Sequence, residues 1–330
     1  MAVTHTKTAM AALAAFILAG SSCQKEISDP ATEQPALAAK AGQGALSSTK
    51  QERKILFVRS YDGDNNNRNH DEIYAMNPDG TGTVRLTYNE VPDGRATWSA
   101  NSQHIAFASG VTGSRDIYVM NANGQALRNL THTPAADEDW PEWSPTGNRV
   151  IFSSNRDGND EIYVTDLDGE EVTRLTFRPQ SDKWPTYSPD GTRIAFHSNL
   201  GATAGNTDVF TMMADGSNVT RLTFTPAFDQ MPAWSPDGTR ITFMSSRDGN
   251  PEVYVMAADG QHQTRLTNSP GIDARPSWSR MGYGIVFTSA RAFGGSADLG
   301  AYEIYRMNPD GTGVTRLTTN ILYDDYPFVQ

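Results

Sequence analysis

Beyond residue 53 the chain is a succession of short apolar runs, such as Ile55-Leu56-Phe57 and Ile105-Ala106-Phe107, parted by Asp, Asn, Gly and Pro. The runs recur in one order: I-x-F-x-S, an acid before I-Y-x-M, D-G, R-L-T, then P-x-W-S-P-D-G. The F-x-S phenylalanines fall at Phe57, Phe107, Phe152, Phe196, Phe243 and Phe287, spaced 44 to 50 residues apart. A second aromatic recurs at Tyr74, Tyr118, Tyr163, Phe210, Tyr254 and Tyr305, and a leucine at Leu86, Leu130, Leu175, Leu222, Leu266 and Leu317. Trp98, Trp143, Tyr187, Trp234 and Trp278 mark the P-x-W-S run. Asp-Gly pairs such as Asp168-Gly169 and Asp237-Gly238 supply the positive-φ positions of tight hairpins, so each unit reads as four antiparallel strands in a meander. A period of about 45 residues with four strands is a propeller blade. The pattern predicts an all-β, six-bladed β-propeller over residues 54–330.

The ends of this region predict how the ring closes. Lys54-Ile55-Leu56-Phe57 is a second strand with no first strand before it, and Tyr326-Pro327-Phe328-Val329 is a first strand with nothing after it, Phe328 taking the tryptophan slot. Paired, the C-terminal strand and the N-terminal fragment complete one blade and remove an open edge.

The N-terminus has a different texture. Residues 9–20 (AMAALAAFILAG) are apolar, too short to span a bilayer and suited to a signal-peptide core. They end in Gly20-Ser21-Ser22-Cys23, and Cys23 is the only cysteine, which excludes an intrachain disulfide. A lone cysteine behind small residues resembles the lipobox of bacterial lipoproteins, with Gly20 where that motif usually has Leu. The resemblance implies a signal peptide over 1–22 and lipidation of Cys23; an ordinary signal peptide with a stray cysteine is the alternative. Gln24-Lys25-Glu26 is similar to the polar, acidic start of some surface-exposed lipoproteins. Residues 23–53, rich in Ala, Gln, Ser, Lys and Glu without apolar periodicity, read as a flexible tether.

Charge narrows the partners. A net charge of −11 argues against nucleic acid, whose phosphates need clustered Lys and Arg. The six histidines (His5, His70, His104, His132, His197, His262) lack paired metal-ligand spacing. Asp62, Asp64 and Asn66 have the opening spacing of a calcium loop, but the glycine and distal glutamate are out of register. No metal or other cofactor is expected.

The repeat motifs resemble the TolB-type propeller repeat, which also occurs in prolyl-oligopeptidase relatives. The α/β domain that precedes the propeller in TolB has no counterpart in the polar residues after Cys23, and no G-x-S-x-G nucleophile elbow is present. The resemblance implies an envelope protein that meets other proteins through its propeller.

Two residue sets are candidates for that contact. Three residues before each proline slot stands an acid: Asp93, Glu138, Asp182, Asp229, Asp273 and Asp324. If the first strand lines the channel, these circle its mouth, either capping turns through backbone N–H groups or forming a negative funnel. Directly before the slot lie Arg95, Trp140, Trp184, Met231, Arg275 and Tyr326, which vary while their neighbours repeat. They either recognise a partner or plug the channel; Trp, Tyr and Arg dominate binding hot spots. A second acidic set (Glu72, Asp116, Glu161, Asp208, Glu252, Glu303) precedes the I-Y run, and Arg156, Arg247 and Arg291 are expected to bridge to it across the hairpin. The longest second-to-third loops, Asp62 to His70 and Ala292 to Ala301, fall in neighbouring blades.

The expected function is that of a non-catalytic, exported outer-membrane lipoprotein, facing the periplasm or the cell surface. As a monomeric propeller it would bind an envelope protein or peptide at the channel mouth and hold the membrane through Cys23. The alternatives are a glycan-binding or glycan-cleaving propeller using the acids with Trp140, Trp184 and Tyr326, and a purely structural module.

Overall fold

The computed structural model describes residues 54–60, 70–200, 206–279, 284–293, 302–320 and 322–329. Cys23, the segments 1–22 and 23–53, and Asp62, Asp64 and Asn66 lie outside them. The described residues form six four-stranded antiparallel sheets, each a meander in chain order except the first, which is completed from the C-terminus. The innermost strands are β24 (Tyr323–Val329) in blade 1, β4 (Asp93–Trp98) in blade 2, β8 (Glu138–Trp143) in blade 3, β12 (Asp182–Tyr187) in blade 4, β16 (Asp229–Trp234) in blade 5 and β20 (Asp273–Trp278) in blade 6. Each contacts the innermost strand of the next blade, and β24 contacts β4, so the inner ring is closed.

The apolar pattern explains why blades associate. The core clusters lie between sheets: Ala106, Ile117 and Leu130 of blade 2 pack with Trp143, Phe152 and Tyr163 of blade 3. The six F-x-S phenylalanines are all but inaccessible to solvent. Each faces the aromatic of the second landmark series in its own blade, with ring centroids 5.6–5.9 Å apart. Such pairs add about 0.5–1.5 kcal/mol beyond area burial. The Asp-Gly hairpins interlock the blades through the backbone. Gly169 has φ 77°, and a Cβ there would run into the Leu130 carbonyl of the preceding blade. Only glycine meets both demands.

Closure uses the same contacts. β1 (Ile55–Ser60) pairs antiparallel with β24, Ile55 opposite Val329 and Leu56 opposite Phe328. Ile55, Phe57 and Val329 share a core cluster with Val286, Ile304 and Leu317 of blade 6. Removal of residues 326–330 strips Phe328 and Val329 from this seam, leaving Ile55 and Leu56 of β1 on an open edge and the core cluster shared with blade 6 without Val329. The truncated protein is expected to lose its cooperative thermal transition, monitored by circular dichroism.

Candidate functional site at the channel mouth

The proline slot decides the geometry of the mouth. Proline cannot donate to a ladder, and in a central strand it is confined to a bulge. The inner pairings skip two residues in each blade, between Gly94 and Thr97, Asp139 and Glu142, Lys183 and Thr186, Gln230 and Ala233, and Ala274 and Ser277. Blade 1 shows the same shift opposite Leu56 and Val58. The first skipped residue is always the variable one. Arg95, Trp140, Trp184, Met231, Arg275 and Tyr326 all have φ between 52° and 57°. A left-handed conformation at a non-glycine residue costs roughly 1–3 kcal/mol and persists where surrounding structure enforces it. Here the flanking ladder pairs hold each bulge, which re-aims the side chain.

The six converge. Trp140 stacks on Trp184 with centroids 3.9 Å apart, and Tyr326 lies 5.5 Å from Trp140. The Arg95 guanidinium sits 4.3 Å above Trp140 and that of Arg275 4.2 Å above Tyr326. The Met231 N–H donates to Nδ1 of His197 at 3.4 Å; burial pushes that imidazole down to about 3, keeping it neutral. Arg95, Trp140, Trp184, Arg275 and Tyr326 also line a cavity of about 80 Å³, together with the proline slots and Thr97, Glu142, Thr186, Ser277 and Phe328. The set thus both narrows the channel and presents aromatic faces edged by N–H donors.

Three residues missed in the sequence complete it. Arg95 pairs with Asp139 at 2.8 Å, and Arg275 with Asp325 at 2.8 Å. Asp325 also accepts from Thr288 at 2.9 Å and Tyr323 at 2.6 Å. Burial opposes the charge on Arg275, yet Asp325 together with Tyr326 and Tyr323 outweighs it and holds the guanidinium above its ordinary pKa. Glu142 brings a carboxylate to the cavity where the other blades have Thr, Ala, Ser or Phe. The available signal was an acid at repeat positions near the proline slot where, these three residues apart, no blade carries one.

The acid ring needs correction. Asp93, Glu138, Asp182, Asp229, Asp273 and Asp324 do sit at the start of the innermost strands, but none is more than 1% exposed. They are no open funnel, and arginine side chains hold most of them. Arg59 pairs with Asp324 at 2.6 Å, Arg247 with Asp229 at 3.0 Å, Arg291 with Asp273 at 2.5 Å, and Arg156 with Glu138. Arg156, Arg247 and Arg291 therefore bridge to the first acidic set, not the second. The second set takes the R-L-T arginines: Arg85 with Glu72, Arg174 with Glu161, Arg221 with Asp208, Arg265 with Glu252 and Arg316 with Glu303. Backbone capping, expected of the first set, belongs to the second: the N–H groups of Asn89, Thr133, Ser269 and Asn320 donate to Glu72, Asp116, Glu252 and Glu303. Repeat spacing places residues along a strand but does not say which arginine reaches which acid.

Two first-set acids have no arginine. Burial pushes Asp93 up to about 7, helped by the Glu72 charge and opposed by Ser109 and Asn89. Burial likewise raises Asp182 to about 6 against the nearby Ser198 and Thr176 hydroxyls. No three His, Cys, Asp or Glu side chains cluster as metal ligands among the described residues.

A family model, the TolB beta propeller domain, matches residues 135–231 and 225–329, more than half of the chain. The chain belongs to the TolB beta propeller family. No curated protein sequence matches it. Among solved structures, TolB from Acinetobacter baumannii aligns with a TM-score of 0.71 at 22% identity, covering 84% of this chain and 66% of that one. A putative TolB from Agrobacterium tumefaciens aligns at 0.64 and 22% identity, covering 81% and 88%. Hydrazine synthase from Kuenenia stuttgartiensis aligns at 0.68 and 15% identity, covering 83% of this chain and 46% of that one. At these identities the likeness is one of fold.

The buried acids give a pH dependence with a definite sign. Asp93 protonates near its usual value of about 3.9 when unfolded but at about 7 when folded. Between those values the native state binds the extra proton, so stability falls as pH rises. Asp93→Asn, isosteric with the protonated acid and free of this titration, is expected to gain on wild type by about 2–3 kcal/mol between pH 5 and pH 8, the free energy of about two pKa units. Urea unfolding at the two pH values measures the gap; a gap independent of pH counts against a proton held at Asp93.

Proposed function

We propose that this chain is an exported, non-catalytic binding protein of the cell envelope that takes a protein or peptide partner at the mouth of its propeller. One observation carries the reading. Six left-handed bulges bring the variable residues together, including a stacked Trp140–Trp184 pair flanked by Tyr326 and two guanidiniums. Large aromatic and arginine side chains on a rigid frame bury contact area with little loss of their own freedom. The cavity of about 80 Å³ that these residues line gives a partner's side chain a place to enter. Membership of the TolB beta propeller family supports an envelope setting, and acylation of Cys23 would tether the propeller to the membrane. Stacked indole faces also suit sugar rings, which keeps glycan binding or cleavage as the second reading.

Trp140→Ala with Trp184→Ala tests the site without touching the buried Arg275–Asp325 pair. Pull-down from envelope extracts with wild type is expected to retrieve a partner that the double variant retrieves at least about tenfold less, a loss of roughly 1.4 kcal/mol. Equal retrieval overturns the mouth as the site. Binding and cleavage of an oligosaccharide panel by wild type would instead establish the glycan reading. For the anchor, Cys23→Ser is expected to abolish labelled palmitate incorporation and shift the protein from the membrane to the soluble fraction.

A further inference from the structure

The blades are near copies of one another, so each is a control for the others. In blades 3, 5 and 6 one arginine is seated the same way. Its Nε donates to the F-x-S serine, at 3.1 Å for Arg156 to Ser154, 2.8 Å for Arg247 to Ser245 and 3.0 Å for Arg291 to Ser289. Its Nη2 meets the inner-strand acid. Its guanidinium lies 4.7–5.5 Å from the rings of the stacked aromatic pair. These arginines keep 19–24% side-chain exposure, so their seats are reached from the surface.

Blade 2 keeps the seat and lacks the arginine. Ser109, Asp93 and the Phe107–Tyr118 pair occupy the equivalent positions. The turn is also the same: the Gly113 N–H donates to the Gly110 carbonyl at 3.0 Å, as Gly158 does to Asn155 at 2.9 Å and Gly249 to Ser246 at 3.1 Å. The arginine position is Val111. Asp93 Oδ2 accepts from Asn89 at 2.6 Å, whereas Asp93 Oδ1 and Ser109 Oγ, the two atoms the sister arginines would engage, are buried without a hydrogen bond of good geometry. Blade 2 also has Asn129 where the other five blades have the R-L-T arginine, so Asp116 is met by Asn129, Thr112, Thr131 and Thr133. Two buried acids thus share one blade with no paired cation among the described residues. Blade 4 also lacks this arginine, but there Leu200 packs against the core cluster containing the Phe196–Phe210 pair.

We propose that blade 2 is a receptor for a guanidinium group supplied from outside the chain, an arginine of the partner entering beside Val111 to engage Asp93 Oδ1 and Ser109 Oγ over the Phe107–Tyr118 pair. This rests on the reading of the mouth face as partner-binding. A net charge of −11 favours approach of a basic partner, and a buried acid left without its cation gains most from receiving one.

The test titrates the full chain with ethylguanidinium, and with tetramethylammonium at matched ionic strength, while following the amide resonances of residues 109–113. Wild type is expected to show saturable shifts with ethylguanidinium alone. Val111→Arg, which supplies the blade with its own arginine, and Asp93→Asn are each expected to weaken binding at least about tenfold, within the range for losing one side of a buried charge pair. Equal responses to both cations, or unchanged binding in Val111→Arg, overturn the receptor. Reduced retrieval of the envelope partner by Val111→Arg supports delivery by that partner, and undiminished retrieval overturns it. The titration needs no partner, so failure of the receptor and failure of the mouth reading give different results.

Discussion

A four-stranded blade cannot bury both of its own faces, and every other feature of this protein depends on that constraint. Each apolar face is covered only by the next sheet, as where Trp143 and Phe152 of one blade close over Ile117 and Leu130 of another. A row of such sheets would leave two apolar faces in water. The ring removes them by pairing β1 with β24, strands from opposite ends of the described chain. The entropy of bringing distant segments together grows only logarithmically with their separation, so one long-range seam completes the burial of all six blades. The Arg59–Asp324 pair at 2.6 Å lies inside that seam, its carboxylate fully shielded from solvent.

The same economy places the candidate site. The innermost strand bulges in every blade, with proline at the second bulged position in five and Ala96 there in blade 2, and the residue before it takes the left-handed region. The framework residues around the bulge are tied to packing and repeat from blade to blade. The bulge residue is tied to neither the ladder nor the core, and its identity changes from Arg to Trp, Met or Tyr. One fold device thus supplies six aimed positions whose residues differ from blade to blade. Those side chains meet around the channel, Trp140 stacking on Trp184 of the next blade at 3.9 Å and Trp184 lying 6.2 Å from Tyr326 of the opposite blade.

Electrostatics follows from the repeat as well. An acid at each inner-strand start is carried into the interior with the strand, and burying a carboxylate is costly unless a cation comes with it. Four of the six blades meet this with an arginine from their own second strand or the turn after it. Blades 2 and 4 depart from the rule, and their acids rise to about 7 and about 6 as burial disfavours charge. Departures inside a repeat are informative because the neighbouring blades show what the position ordinarily holds.

The sequence by itself determined the number of blades, their strand order and the closing seam, because these follow from local apolar spacing and turn chemistry that six copies repeat. It also singled out Arg95, Trp140, Trp184, Met231, Arg275 and Tyr326, since variation within a repeat needs no coordinates to be seen. Only the tertiary structure decided which arginine reaches which acid, that the acid ring is buried, and that Asp139, Asp325 and Glu142 belong with the mouth. The physical reason is range. Strand patterns are set by neighbours along the chain, whereas an ion pair or a shared cavity depends on side-chain directions across strands and blades, to which a bulge at one residue gives a new aim.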